Sequence, residues 1–118
     1  MRTGERALAR RELDKELRYF RLAAKQKNPI PEFLRAVRQA MGIPAAEIAR
    51  ELGVNRSVLF RLEQSEERGT ISLNALDRVA VAMGFKLVYA IVPVGKETLE
   101  EMAEWRVWEK KLGAGVRG

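Results

Sequence analysis

An all-α fold interrupted by one β-strand is predicted by three features of this 118-residue sequence. Apolar residues recur at helical spacing along most of the chain, glycines and small polar residues punctuate those stretches, and a single run is rich in β-branched and aromatic residues.

The first helix is expected over residues 3–27, with Thr3 as N-cap and one apolar stripe of Leu13, Leu17, Phe20 and Ala24. Asn28-Pro29-Ile30-Pro31 breaks it and reads as a short stiff linker. Pro31 suits the start of the next helix, whose stripe is Phe33, Leu34, Val37, Ala40 and Met41, ended by Gly42. Pro44 opens a helix with Ala45, Ile48, Ala49 and Leu52 inward, and Gly53 closes it. Asn55 caps a helix carrying Val58, Leu59 and Leu62 inward, followed by a polar loop from Glu66 to Gly69. Ser72 caps the next, with Leu73, Leu76, Val79, Ala80 and Met83, ended by Gly84. Phe85 to Pro93 reads as the strand, with Phe85, Leu87, Tyr89 and Ile91 on one face and Lys86, Val88, Ala90 and Val92 on the other. The last helix is expected over residues 97–112, and the glycine-rich end after it as frayed. The division that follows is an N-terminal helix and linker at 1–30, a central domain at 31–84, and a strand and C-terminal helix at 85–118.

Composition narrows the function. The chain has no Cys and no His, which excludes disulfides, thiolate and imidazole metal sites, and hydrolases that use a Cys or His. No metal site and no cofactor is expected, no phosphate loop or dinucleotide fingerprint occurs, and an enzyme is not expected. The formal net charge of +6 favours an anionic partner. It is uneven: residues 1–30 carry +5, 31–66 carry none and 67–118 carry +1. The basic first helix is either a solvated face or an arm that contacts a partner. No 18-residue apolar run and no leader-like apolar segment occurs, so no membrane span and a cytoplasmic location are expected.

Function concentrates in residues 45–63. Ala49 is small where two helices would cross closely, Gly53 permits a sharp turn, and Val54, Leu59 and Leu62 anchor the second helix on the first. This is the helix-turn-helix pattern, whose second helix enters the major groove of double-stranded DNA. The alternative is an ordinary helical hairpin. The outer face favours the first reading, because Arg56, Ser57, Phe60, Arg61 and Gln64 offer groups that read base edges or phosphates.

The run Leu52-Gly53-Val54-Asn55-Arg56-Ser57 with the following Leu62-Glu63 resembles the Cro/C1-type (XRE family) DNA-binding domain over about residues 31–84. That resemblance implies a five-helix, lambda repressor-like domain and a transcriptional regulator. It implies base reading by Arg56, Ser57 and Arg61, and phosphate contact by Asn55. Where that family usually has a Thr or Ser cap followed by a phosphate-binding Gln, this chain has Pro44 and Ala45. Arg35, Arg38 and Arg68 either replace that contact or are solvated charges. Phe33 to Gly42, Leu62 to Glu66, Gly69 to Leu73 and Leu87 to Pro93 also resemble the proteins called mobile mystery protein A. This second resemblance implies a gene beside one for a Fic-domain protein, and so an antitoxin-like role as the alternative to an autorepressor.

The other clusters read blandly. Glu97, Glu100, Glu101 and Glu104 are a solvated helix face, and Trp105 and Trp108 are packing residues more than base-stacking platforms. Tyr19 and Phe20 beside Arg18 and Arg21 have a nucleic-acid look, but packing is favoured. A lone strand leaves a row of unpaired amides and carbonyls. The expected remedy is a homodimer, pairing Phe85, Leu87, Val88, Tyr89, Ala90, Ile91 and Val92 with the same strand of a second copy. The alternative is an extended tail over its own domain.

Overall fold

The computed structural model describes residues 2–25 and 32–113. It contains six helices: α1 (Thr3–Ala24), α2 (Phe33–Ala40), α3 (Ala45–Leu52), α4 (Arg56–Arg68), α5 (Leu73–Ala82) and α6 (Leu99–Lys111). They fall into two units that divide between Tyr89 and Ala90; one holds α2 to α5, the other α1 and α6.

The first unit is built by the apolar stripes. Leu34 of α2, Ile48 of α3, Leu59 of α4 and Val79 of α5 form its buried centre, one side chain from each helix. Ile43, Leu52, Leu62, Ile71, Leu76 and Met83 close around them. Ala49 is buried as well, so α3 and α4 approach without a bulky side chain between them. Gly53 turns the chain between α3 and α4 with φ of 70°, a left-handed conformation that costs a residue bearing a Cβ. Its N–H and that of Val54 bond back to Arg50 and Ala49 carbonyls, which satisfies the end of α3. Asn55 then caps α4 by accepting from the Val58 N–H at 3.2 Å, and Ser72 caps α5 by accepting from the Ala75 N–H at 3.0 Å. Both caps stand where the sequence placed them.

The second unit is joined differently. Neither α1 nor α6 has a buried residue. Polar bonds link them: Arg10 grips the Glu100 carboxylate with Nε at 2.9 Å and Nη2 at 3.1 Å. The Asp14 carboxylate accepts from the Leu99 N–H at 3.0 Å, and Arg21 donates to the Glu97 carbonyl at 2.8 Å. Thr98 and Glu101 cap α6 reciprocally, each side chain accepting from the other's backbone N–H.

Several expectations change. No strand forms over 85–93, or anywhere among the described residues. From Lys86 to Lys96 the described backbone makes no backbone–backbone hydrogen bond, and a strand exists only as one side of a ladder. The chain is therefore all-helical where it is described. Among the described residues, four helices, α2 to α5, lie in the helix-turn-helix unit. Thr3 is the first residue of α1 and not its cap; Glu5 instead accepts from the Arg2 N–H at 3.3 Å. The last helix starts at Leu99, since Thr98 is the better cap. The linker at 28–31, the start at Pro31 and the frayed end after Gly113 lie outside the described residues.

Candidate DNA-reading face

Helix α4 has two faces of opposite character. Leu59 and Glu63 are buried, and Val58, Leu62, Ser65 and Glu66 are half-buried, so these positions turn toward the domain. Arg56, Phe60 and Gln64 follow one another at four-residue spacing on the exposed side, flanked by Ser57 and Arg61. The sequence-predicted readers thus share one continuous outward surface. Arg56 makes no hydrogen bond or ion pair among the described residues, and its guanidinium keeps all its donors. Arg61 donates one long bond from Nε to the Ser57 carbonyl at 3.4 Å. The Ser57 hydroxyl donates to the Asn55 carboxamide oxygen, which ties this side chain to the cap.

Arg35 and Arg38 lie on α2 and are each paired with carboxylates, and the Arg38 guanidinium also approaches the Phe60 ring. Arg38 donates from Nε and Nη2 to the Glu63 carboxylate at 2.7 and 3.1 Å. The Arg38 side chain is 11% exposed and that of Glu63 4%. This is a buried two-point pair joining α2 to the back of α4, and Arg38 is not a solvated charge. Arg35 bonds Glu32 at 2.7 Å and Glu67 at 3.4 Å at the surface, and these carboxylates hold its guanidinium above its ordinary value. Both arginines are engaged by carboxylates, Arg38 through Nε and Nη2 and Arg35 through Nη2 alone. Arg68, at the last position of α4, is exposed.

Sequence reasoning overlooked two carboxylates. Glu63 lies four residues after Leu59 on the inward stripe, and Arg38 lies four after Leu34, so each is a charge in an apolar register. That pairing of anomalies was the available signal. Glu66 accepts from the Leu34 N–H at 2.8 Å and so satisfies the start of α2 from the far end of α4. Burial pushes its carboxyl up, against the backbone bonds from Leu34 and Phe33 that pull it down.

The Trp105 and Trp108 rings of α6 stack on each other with centroids 5.3 Å apart, and both stay substantially exposed. Among the described residues no group of three or more carboxylates is placed to hold a metal ion, and no helix is long and apolar enough to cross a membrane.

A two-helix reader whose inner face is locked and whose outer face is polar defines a helix-turn-helix domain. Residues 34–89 match the helix-turn-helix family model, and this part of the chain is a Cro/C1-type (XRE) domain of the kind that serves DNA-binding regulators. Comparison with curated proteins and with solved structures returns no match.

Proposed function

We propose that the protein is a sequence-specific, non-enzymatic DNA-binding regulator that represses its own operon as a homodimer in the cytoplasm. The observation that carries the reading is the outward surface of α4, where Arg56, Ser57, Phe60, Arg61 and Gln64 stand above a fully packed inner face. Arg56 forks to guanine O6 and N7, Ser57 and Gln64 reach base edges or phosphates, and Asn55 sits where the backbone passes the helix start. Phosphate pairing supplies most of the affinity through counterion release.

The segment from Phe85 to Val92 supports dimerisation. Val88, Tyr89 and Ile91 are exposed, Ile91 to 91%, and the backbone there forms no ladder among the described residues. Pairing Phe85, Leu87, Val88, Tyr89, Ala90, Ile91 and Val92 with the same residues of a second copy removes both liabilities. It also gives two reading helices for an inverted repeat.

The test is a titration of the protein onto duplex DNA from upstream of its own gene at several salt concentrations. A slope of about −0.9 per phosphate contact is expected, with Arg56→Ala and Arg61→Ala each weakening specific binding by about 1–3 kcal/mol. Unchanged operator affinity in both variants removes α4 as the reader.

A second reading has its own support. Helices α1 and α6 have no buried residue and expose Tyr19, Leu22, Trp105 and Trp108, which supports a module completed by another protein. With the resemblance to mobile mystery protein A, this supports an antitoxin-like protein that binds a Fic-domain partner. Co-purification with the product of the neighbouring gene tests it.

A further inference from the structure

One side chain on the outward surface of α4 cannot hydrogen-bond to a base. Phe60 stands midway between Arg56 and Gln64, and its surface is 45% exposed. The Arg38 guanidinium lies 6.0 Å from its ring centroid, within cation–π reach. Arg38 is itself fixed at two points by Glu63, and its Nη1 reaches toward the Ile43 carbonyl at 3.5 Å. The ring therefore faces, on the domain side, a guanidinium that Glu63 holds at two points.

We propose that Phe60 is a specificity-determining residue that covers the 5-methyl group of a thymine in the major groove, with Arg38 as the positioning residue that holds the ring against it. The inference rests on the reading of α4 as the DNA-reading helix. Thymine is the only base that presents a methyl group in that groove, and a phenyl ring discriminates by apolar contact alone. Removing one methyl group from water is worth roughly a three- to five-fold change in affinity. A ring free to rotate would share that contact among several bases. Bracing by Arg38 confines it to one.

The experiment uses the full chain. Duplexes are selected from a randomised library, and each thymine of the preferred duplex is then replaced singly by deoxyuridine, which removes only the methyl group. The wild-type protein is expected to lose roughly three- to five-fold in affinity at one thymine per half-site. Phe60→Ala, a change at an exposed position, should bind the thymine and deoxyuridine duplexes alike. Arg38→Lys keeps a charge opposite Glu63 but has no planar face, and should lose most of the discrimination while still binding the duplex. Equal affinity of the wild type for every deoxyuridine duplex overturns the proposal, as does undiminished discrimination by Phe60→Ala. Undiminished discrimination by Arg38→Lys overturns the positioning role. If no duplex is selected at all, the DNA-reading assignment of α4 falls and takes this one with it. That outcome is distinct from binding without methyl sensitivity.

Discussion

At the scale of single residues, α4 separates stability from recognition. Leu59 is fully buried at the centre of its unit, so Leu59→Ala leaves a cavity lined by Leu34, Ile48 and Val79. A loss of about 2–5 kcal/mol is expected in denaturant unfolding, whereas Arg56→Ala should leave the midpoint unmoved. The Arg38–Glu63 pair belongs with Leu59. Arg38→Ala strands a buried carboxylate, and a loss of about 3–5 kcal/mol is expected. Replacing both partners by apolar residues of similar volume should recover much of that stability, since no charge is then left unpaired. Recovery measured in the same unfolding assay distinguishes a stranded charge from simple loss of packing. This pair was hidden in the sequence because a charge count treats Arg38 like Arg56. They differ in surroundings: Arg38 lies four residues after buried Leu34 and pairs with Glu63, whereas Arg56 lies in the exposed first turn of α4. Asn55 was legible because its side chain acts within four residues of itself.

At the scale of elements, most local signals were legible and non-local ones were not, with two local exceptions: Thr3 begins α1 and does not cap it, and α4 runs to Arg68 where a polar loop from Glu66 was expected. The stop at Gly53 and the caps at Asn55 and Ser72 are each decided within one turn of helix. The run at 85–93 has the β-branched content of a strand, but β-propensity describes fit to a pleated surface and supplies no neighbour to pair with. The polar bonds between α1 and α6 were likewise illegible, because they join Arg10, Asp14 and Arg21 to residues more than seventy positions away. That polar contact gives an acid-sensitive junction. The Arg10 guanidinium beside Glu100 holds the Glu100 carboxyl below the ordinary carboxylate range. A folded-state value below the unfolded one contributes stability at higher pH, and this contribution is lost as pH falls through the folded value. Glu66 has the opposite sign: burial raises its value, so its charged form is penalised, and acidification relieves the penalty. In a carboxyl-carbon NMR titration from neutral to acid, Glu66 should therefore protonate before the solvated glutamates and Glu100 after them. Arg10→Ala should return Glu100 to the ordinary range and leave Glu66 where it was.

At the scale of the whole molecule, the question is what a chain does with an apolar segment that its own domain leaves in water. Val88, Tyr89, Ile91 and Val94 are all highly exposed, within seven residues of one another. Single exposed apolar side chains are ordinary, but a contiguous run marks a surface meant for contact. The same stretch forms no backbone ladder among the described residues, and exposed apolar side chains beside such a backbone suit pairing with a partner strand. The proposed occupant is a second copy, since antiparallel pairing about a two-fold axis would set identical residues against each other. On this reading the DNA affinity of each copy is coupled to the dimer, since two α4 helices then bind as one unit. Val88→Lys places two like charges near the axis, and Ala90→Glu does the same with the opposite sign. Either should convert the protein to monomer in sedimentation equilibrium and weaken binding to an inverted repeat far more than to a single half-site. The fold of α2 to α5 should survive, because neither residue lies in the cluster of Leu34, Ile48, Leu59 and Val79. A wild-type protein that sediments as a monomer at tens of micromolar, yet binds the full inverted repeat no more weakly than a linked pair, would rule out this interface.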